Sequence, residues 1–479
     1  MTEVVRQDAP HPLLRSFLVL SGGQLVARSL TFLLTVHLTR ALGAAGFGIV
    51  VFATATLSYA ILVVDFGFGV LGPLEAARRP QRIPRLAGTL LVLRGLLALL
   101  GFVLLALFLE LAPVPDLARV VALLYGLALL ASALDLSWVF LGVLPMRPVA
   151  LADIFSAALI LVSAWSLVRT PEDVVRMPWI FLGGQLAQAA FLAISFALRF
   201  GRPRLALDRA LLRELIPEAL PLLGSAALGQ LLNNFDVVLL GVWLGTSSAG
   251  VYGAAYRFVQ FLGLLALSYF RALRPPLARA SLQGLQSAQP WLGRSYEIST
   301  ALAFGAAVGG VVLADGLVVR LFGAPYAAAA QPLRLLLCAF GLMVLNRHYR
   351  ICLVAFGHQT LYLGQQAIAT ALNVGLNILL IPRWGILGSA WAMLAAEVFQ
   401  TLAGYWSAHR RLGPVPGPRL VLRPLLCAAL LGVLLRAIEG SGLFVKIGVG
   451  AVSYILLLLS LRVFSVGEFL RSLRDAVRA

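Results

Sequence analysis

From residue 14 to residue 465 the chain is a succession of apolar stretches, each about 20 residues long. An α-helix needs roughly 20 such residues to cross a bilayer. Within hydrocarbon the backbone must satisfy its own hydrogen bonds, so these stretches read as spanning helices. Fourteen are expected: 14–39, 47–73, 86–110, 118–142, 149–168, 178–198, 214–241, 248–270, 295–314, 328–346, 360–381, 387–408, 421–437 and 443–461. The links are short and often carry proline, as at Pro80, Pro84, Pro113, Pro115, Pro171, Pro275, Pro276, Pro414, Pro416 and Pro418. Composition agrees. Of 479 residues, 60% are hydrophobic and 12% charged, against about 45–50% and 25% in soluble domains. An ordinary soluble enzyme, a coiled coil and a disordered chain are excluded.

The N-terminal segment Met1–Pro12 is short and polar, and the first stretch carries Arg28 in its middle, so it is expected to remain as a helix and not to be cleaved. Cys338, Cys352 and Cys427 lie far apart in apolar stretches, which supports neither disulfides nor a zinc site.

The chain has 38 Lys+Arg against 20 Asp+Glu, a net charge of +18, and Lys446 is the only lysine. Such a balance suits nucleic acid or anionic lipid, and the placement of the arginines decides. With the N-terminus in the cytoplasm, 26 basic residues fall in cytoplasmic segments, 8 in outer segments, and Arg28, Arg94, Arg257 and Arg334 inside helices. This is the bias that orients membrane proteins. It predicts both termini in the cytoplasm and leaves no role for nucleic acid.

No loop is long enough for a soluble domain, and no HExxH, P-loop, GxSxG or clustered Cys/His pattern occurs. No catalytic residue, metal site or cofactor is therefore expected. Transport is the default reading. An internal repeat supports it. Leu42-Gly43-Ala-Ala-Gly46-Phe47-Gly48 closes helix 1 and opens helix 2. Leu244-Gly245-Thr-Ser-Ser-Ala-Gly250-Val-Tyr252-Gly253 does the same for helices 7 and 8. The division expected is residues 1–199 as one six-helix lobe, 200–213 as a cytoplasmic linker, 214–411 as a second lobe, and 420–479 as two appended helices and a tail. Paired bundles of this kind rock about a central cavity.

Arg40-Ala-Leu-Gly43-Ala-Ala-Gly46-Phe47-Gly48, followed by Asp65-Phe-Gly67-Phe-Gly69, resembles the start of the polysaccharide-transporter branch of the MOP exporter superfamily. Asn233-Asn234-Phe-Asp236 leading into Gly250-Val-Tyr252-Gly253-Ala-Ala-Tyr256-Arg257 agrees, as does Asn373-Val-Gly-Leu-Asn377 through Trp391. These proteins are Wzx-type flippases, related to lipid II flippases and MATE drug exporters. The resemblance spans roughly residues 13–411. It implies alternating access, in the bacterial inner membrane, of a polyprenyl-diphosphate-linked oligosaccharide. It further implies an H⁺ or Na⁺ gradient or the membrane potential as driving force, and glycosyltransferases and a polymerase as partners. The alternatives are a lipid II flippase, a MATE-type exporter and, less favoured, a membrane glycan polymerase.

Ionisable side chains at mid-membrane are costly and usually functional or paired. Ser21, Gln24, Arg28, Thr31 and Thr35 share one face of helix 1. Arg28 lies about 21 Å from the inner end at 1.5 Å per residue. Its guanidinium either binds diphosphate bidentately or pairs with a carboxylate. Helix 7 adds Gln230, Asn233, Asn234 and Asp236, and helix 8 adds Tyr252, Tyr256, Arg257 and Gln260. Arg257 either serves a phosphate or pairs with Asp236, and Tyr252 suits an interfacial belt. Asn373 and Asn377, with Gln366 and Thr370, form a face that either lines the cavity or bonds neighbouring helices. Arg94 is expected to pair with Asp135, and Arg347 and Arg350 to lie in a cytoplasmic link. Glu397 leads the candidates for ion coupling, with Asp236 and Asp65 behind it.

Overall fold

In a computed structural model the apolar stretches are helical, and no strand occurs among the described residues, which are 11–461 and 463 without 283, 414–417 and 439. The expected cytoplasmic N-terminus at residues 1–10 and the tail beyond 463 lie outside them, with Arg6, Arg462, Arg471, Arg474 and Arg478. In chain order the helices are α1 (His11–Asp65), α2 (Phe68–Arg78), α3 (Ile83–Leu111), α4 (Asp116–Gly126), α5 (Ala128–Ala133), α6 (Ser137–Gly142), α7 (Arg147–Leu167) and α8 (Met177–Phe200). They continue as α9 (Arg209–Trp243), α10 (Thr246–Leu282), α11 (Leu285–Phe322), α12 (Ala330–Ala355), α13 (Gln359–Trp384), α14 (Ile386–Leu412), α15 (Pro418–Ala437) and α16 (Leu443–Ser460).

Among the described residues twelve helices are long and apolar enough to cross a membrane, against the fourteen expected. Two elements make the difference. The first of the twelve runs from Val19 to Arg78 and takes in both of the first two expected spans. Helix α10, in the place of the eighth, is not one of the twelve. α1 is broken at Gly43, whose φ of 66° and ψ of −178° are not helical. The small residues around Gly43 let the chain turn in one residue, where a seven-residue link was expected. A second break follows at Phe66 (φ 48°) and Gly67 (φ 84°). There the Asp65 carboxylate accepts the Gly69 N–H at 3.2 Å and opens α2.

Several expected loops are helical. α10 and α11 run on to Leu282 and from Leu285, so Pro275 and Pro276 stand inside a helix. α12 continues to Ala355, which puts Arg347 more than two turns inside it. The fourth expected span is divided into α4, α5 and α6, and its part Asp116–Ala133 remains one of the twelve.

α1 is the hub of the packing. It lies against α3, α4, α7, α9 and α10, while α12 sits between α11 and α14, and α15 rests on α11. The bundle has two ends. At the Gly43 end the two copies of the repeated glycine motif meet each other. A Cβ added at Gly250 would stand 2.9 Å from the Gly48 amide nitrogen and would collide with the Ala44 carbonyl. A Cβ at Gly48 would likewise collide with Thr246. Glycine here permits backbone-to-backbone approach, the small-residue packing that holds membrane helices together. At the opposite, Gly67 end, Arg79 pairs with Glu214 and Arg85 with Asp208. Asp208 caps α9 by accepting the Leu211 N–H. That bond first, and Arg85 second, hold its carboxyl below the usual carboxylate range.

Candidate central anion site

Beneath the closed Gly43 end, α1, α9 and α10 enclose a cavity of about 50 Å³ lined by Thr54, Asn234, Tyr256, Arg257 and Gln260 among others. Arg257 is seven residues beyond Gly250 on α10, about 10 Å further along the axis. Its guanidinium donates to Thr54 Oγ1 at 3.3 Å. It forms no ion pair among the described residues.

Arg28 sits deeper, fifteen residues before Gly43, about 22 Å along α1. It is exposed, as are Val26 and Leu33 on another side of the helix. Phe32, one turn from Arg28, stacks on Phe261 of α10 with ring centroids 4.8 Å apart. That contact turns the Arg28 side of α1 towards α10. Arg28 lies within electrostatic reach of Arg257 and of Asp153 on α7. Asp153 accepts from Gln188 Nε2 at 2.8 Å. No hydrogen bond or ion pair of Arg28 occurs among the described residues. Two guanidiniums thus stand near each other without a carboxylate clamped to either.

Around them the polar groups are tied down. Asp236 is 3% exposed, accepts the Tyr252 hydroxyl at 2.6 Å and the Val237 N–H at 2.8 Å. Of the two readings of Arg257, the pair with Asp236 is not formed among the described residues. Tyr252 is fully buried beside Tyr256, not in an interfacial belt. Tyr256 donates to Asn233 at 3.2 Å. Gln230 bonds Ser58 across to α1. Thr31 and Thr35 turn their hydroxyls back onto carbonyls of α1 itself, at 3.0 and 3.1 Å.

The structure brings Arg28, Arg257, Asn233, Asn234, Tyr256 and Gln260 to one region, with Gln24 and Thr31 on the Arg28 side of α1. It does not bring Asn373 and Asn377 to a solvated surface. They are 1% and 0% exposed, and Ser389 of α14 donates to Asn377 at 2.9 Å. Of the two readings of that face, helix-to-helix bonding describes it.

Arg94 departs from expectation. It donates to Asp65 at 2.8 Å and only to the backbone carbonyl of Asp135, because the Asp135 carboxylate caps Ser137. Asp65 is thus both a helix cap and an ion-pair partner. Glu397 is buried, and its Oε2 has no hydrogen-bond partner among the described residues. Arg347 is the cation within its electrostatic reach. The sequence reading missed Arg347 by ending the helix at 346, nine residues before its end at Ala355. It also missed Thr54, although Thr54 and Ser58 make a polar i, i+4 step that could have pointed to a cavity face.

A family model described as polysaccharide biosynthesis protein matches residues 13–281. An Escherichia coli (strain K12) protein named, provisionally, as an O-antigen transporter is 24% identical over 266 residues, which is 54% of this chain and 63% of that relative. The match thus falls short of two thirds of the relative's length. Among solved structures, the lipid II flippase MurJ in an inward closed conformation superposes with a TM-score of 0.75 at 13% identity, covering 92% of this chain and 98% of that one. An inward-facing multidrug resistance MATE family transporter of the MOP superfamily gives 0.61 at 16% identity, covering 83% and 98%. At these identities the likeness establishes the fold.

Proposed function

Because the chain belongs to the polysaccharide biosynthesis protein family, we propose that it is a flippase carrying a polyprenyl-diphosphate-linked oligosaccharide across the bacterial inner membrane. One observation carries the reading: Arg28 and Arg257 stand together inside the bundle with no carboxylate in ion-pair contact. Holding a charge in the half-buried position of Arg257 is costly unless something pairs with it. A transported diphosphate would supply the missing anion, and guanidinium suits it through paired N–H donors. A cationic drug would be repelled by the same pair, which disfavours the MATE-type reading.

With the Gly43 end outward and both termini in the cytoplasm, the exposed Arg28 meets the diphosphate first. Arg257, about 10 Å beneath the Gly48–Gly250 contact, receives it next. The halves 1–199 and 214–411 rock about this site, with 200–213 as the cytoplasmic link and the two last helices riding on α11. The carrier acts without a catalytic step. An H⁺ or Na⁺ gradient drives it, and Glu397, with its unpartnered oxygen, is the coupling group favoured over Asp236 and Asp65, which are already occupied. Glycosyltransferases and a polymerase work on either side of it.

Complementation tests the proposal. The chain is expected to restore surface glycan in a strain lacking its own lipid-linked oligosaccharide flippase. Arg28→Ala with Arg257→Ala, at equal membrane abundance, is expected to abolish the rescue. Undiminished rescue by that double variant would remove the diphosphate assignment.

A further inference from the structure

A second cavity lies apart from Arg28 and Arg257. It is an open cleft of about 690 Å³ at the Gly43 end, within the roughly 300–1,000 Å³ typical of small-ligand sites. Its lining comes entirely from residue 244 onwards. Trp384 stands at its edge with 56% of its surface exposed. Ser247 and Ser248 come from the first turn of α10, and Gln331 and Arg334 from the first turns of α12. Arg334 is paired with Asp315 of α11, so the cleft bears no uncompensated charge there. Ala327, Ala328 and Ala330 complete its apolar lining with Leu244, Val251, Ile386 and Leu387.

This is different chemistry from the central site. Two unpaired guanidiniums select an anion. An exposed indole face surrounded by hydroxyls, an amide and a neutralised ion pair selects a neutral ligand with apolar C–H faces and many hydroxyls. Indole combines a large apolar surface with a polar N–H. The serine hydroxyls and the glutamine amide each both donate and accept hydrogen bonds, as sugar hydroxyls do. The position fits as well. Ser248 and Arg257 lie nine residues apart on α10, about 14 Å along the axis, with Gly250 of the closing contact between them.

We propose that this cleft is a saccharide subsite, taking neutral pyranose rings of the glycan head once the Gly48–Gly250 contact has opened and while the diphosphate still rests at Arg257. The subsite deepens the flippase reading and rests on it for its role, though its affinity for sugar can be measured separately.

Saturation-transfer-difference NMR on the full chain in nanodiscs tests it, with chitotriose, maltotriose, mannotriose and a rhamnose trisaccharide as probes. At least one is expected to bind saturably in the millimolar range. Trp384→Ala is expected to weaken that binding at least tenfold, while Trp384→Phe, which keeps an aromatic face, retains most of it and guards against a folding defect. Inorganic pyrophosphate is expected not to compete, and Arg28→Ala with Arg257→Ala not to alter the signal. Binding by none of the four, binding that survives Trp384→Ala, or displacement by pyrophosphate overturns the subsite. The last outcome would move the sugar to the arginines. Failure of the unaltered chain to restore surface glycan in complementation, with Trp384-dependent binding intact, would instead overturn only the flippase reading.

Discussion

At Arg94 a guanidinium that is 3% exposed meets the Asp65 carboxylate at 2.8 Å, and the carboxylate also caps the helix that follows. Arg28 and Arg257 lie within electrostatic reach of each other, and among the described residues Arg257 has one threonine hydroxyl as its hydrogen-bond partner and Arg28 has none. All three arginines sit well inside apolar helices, and composition cannot tell them apart. Pairing can. A buried charge with a fitted partner is part of the frame, because removing either member strands the other. A half-buried charge without one, as at Arg257, is held at a cost by packing elsewhere, and that cost is recovered when a ligand of opposite sign arrives, whereas the exposed Arg28 carries no such cost. The difference separates what holds the bundle together from what it is for.

The largest effect should come from the paired centre. Arg94→Ala leaves Asp65 without its cation and is expected to cost about 3 kcal/mol, the low end for a broken buried pair because Asp65 retains some access to water. Denaturation in detergent micelles measures it, and Arg94→Lys should recover part. Arg28→Ala, by contrast, should shift stability by no more than about 0.5 kcal/mol, as for an exposed side chain without partners. Equal destabilisation by the two would erase the distinction.

Transport should show the reverse order. A hydrogen bond to a charged group is worth about 1.5–3 kcal/mol, so Arg28→Ala and Arg257→Ala are each expected to lower flipping in proteoliposomes about tenfold to a hundredfold. Flipping at wild-type rate by stable Arg257→Ala protein would reassign that arginine to the frame.

Much of this was legible in residue order. The apolar stretches, the repeated glycine motif and the four intramembrane arginines all stand out, and the two motif copies meet as Gly48 against Gly250. What resisted was partner choice. Asp135 is close enough to Arg94 to be its expected partner, yet a local serine takes its carboxylate. Asn373 and Asn377 have the spacing of a cavity face, but helical period says which residues share a side, not what that side meets. Arg347 was lost because a charged residue at the end of an apolar run looks like a boundary, and here α12 carries it onward towards Glu397.

The closing contact offers a smaller test. Gly250→Ala pushes a methyl into the Ala44 carbonyl and the Gly48 backbone. Overpacking of this kind costs about 1–3 kcal/mol, borne only when the Gly43 end is shut, so the open state should gain about fivefold to a hundredfold. Ala55→Cys, which lines the central cavity, reports it through labelling by an impermeant maleimide applied from outside, with Cys338, Cys352 and Cys427 replaced. Unchanged labelling would mean that the glycines pack without gating the arginines.

Arg40 completes the series as an arginine satisfied by carbonyls alone. It reaches from α1 to the last turn of α11, donating through Nε to Leu321 O at 3.0 Å and through Nη2 to Arg320 O. A cation at a helix C-terminus is favourable but exposed here, so its contribution is about 0.3–1 kcal/mol. Arg40 holds two elements that must separate if the Gly43 end opens, and it makes no other hydrogen bond among the described residues. Arg40→Ala should therefore leave the thermal midpoint of the closed protein nearly unchanged and raise Ala55→Cys labelling about twofold to fivefold, the factor that 0.3–1 kcal/mol allows. An increase as large as that from Gly250→Ala would make this contact, and not the glycine pair, the principal closure. No increase, with Gly250→Ala still effective, would confine closure to the glycines and leave Arg40 as an ornament of the α11 terminus.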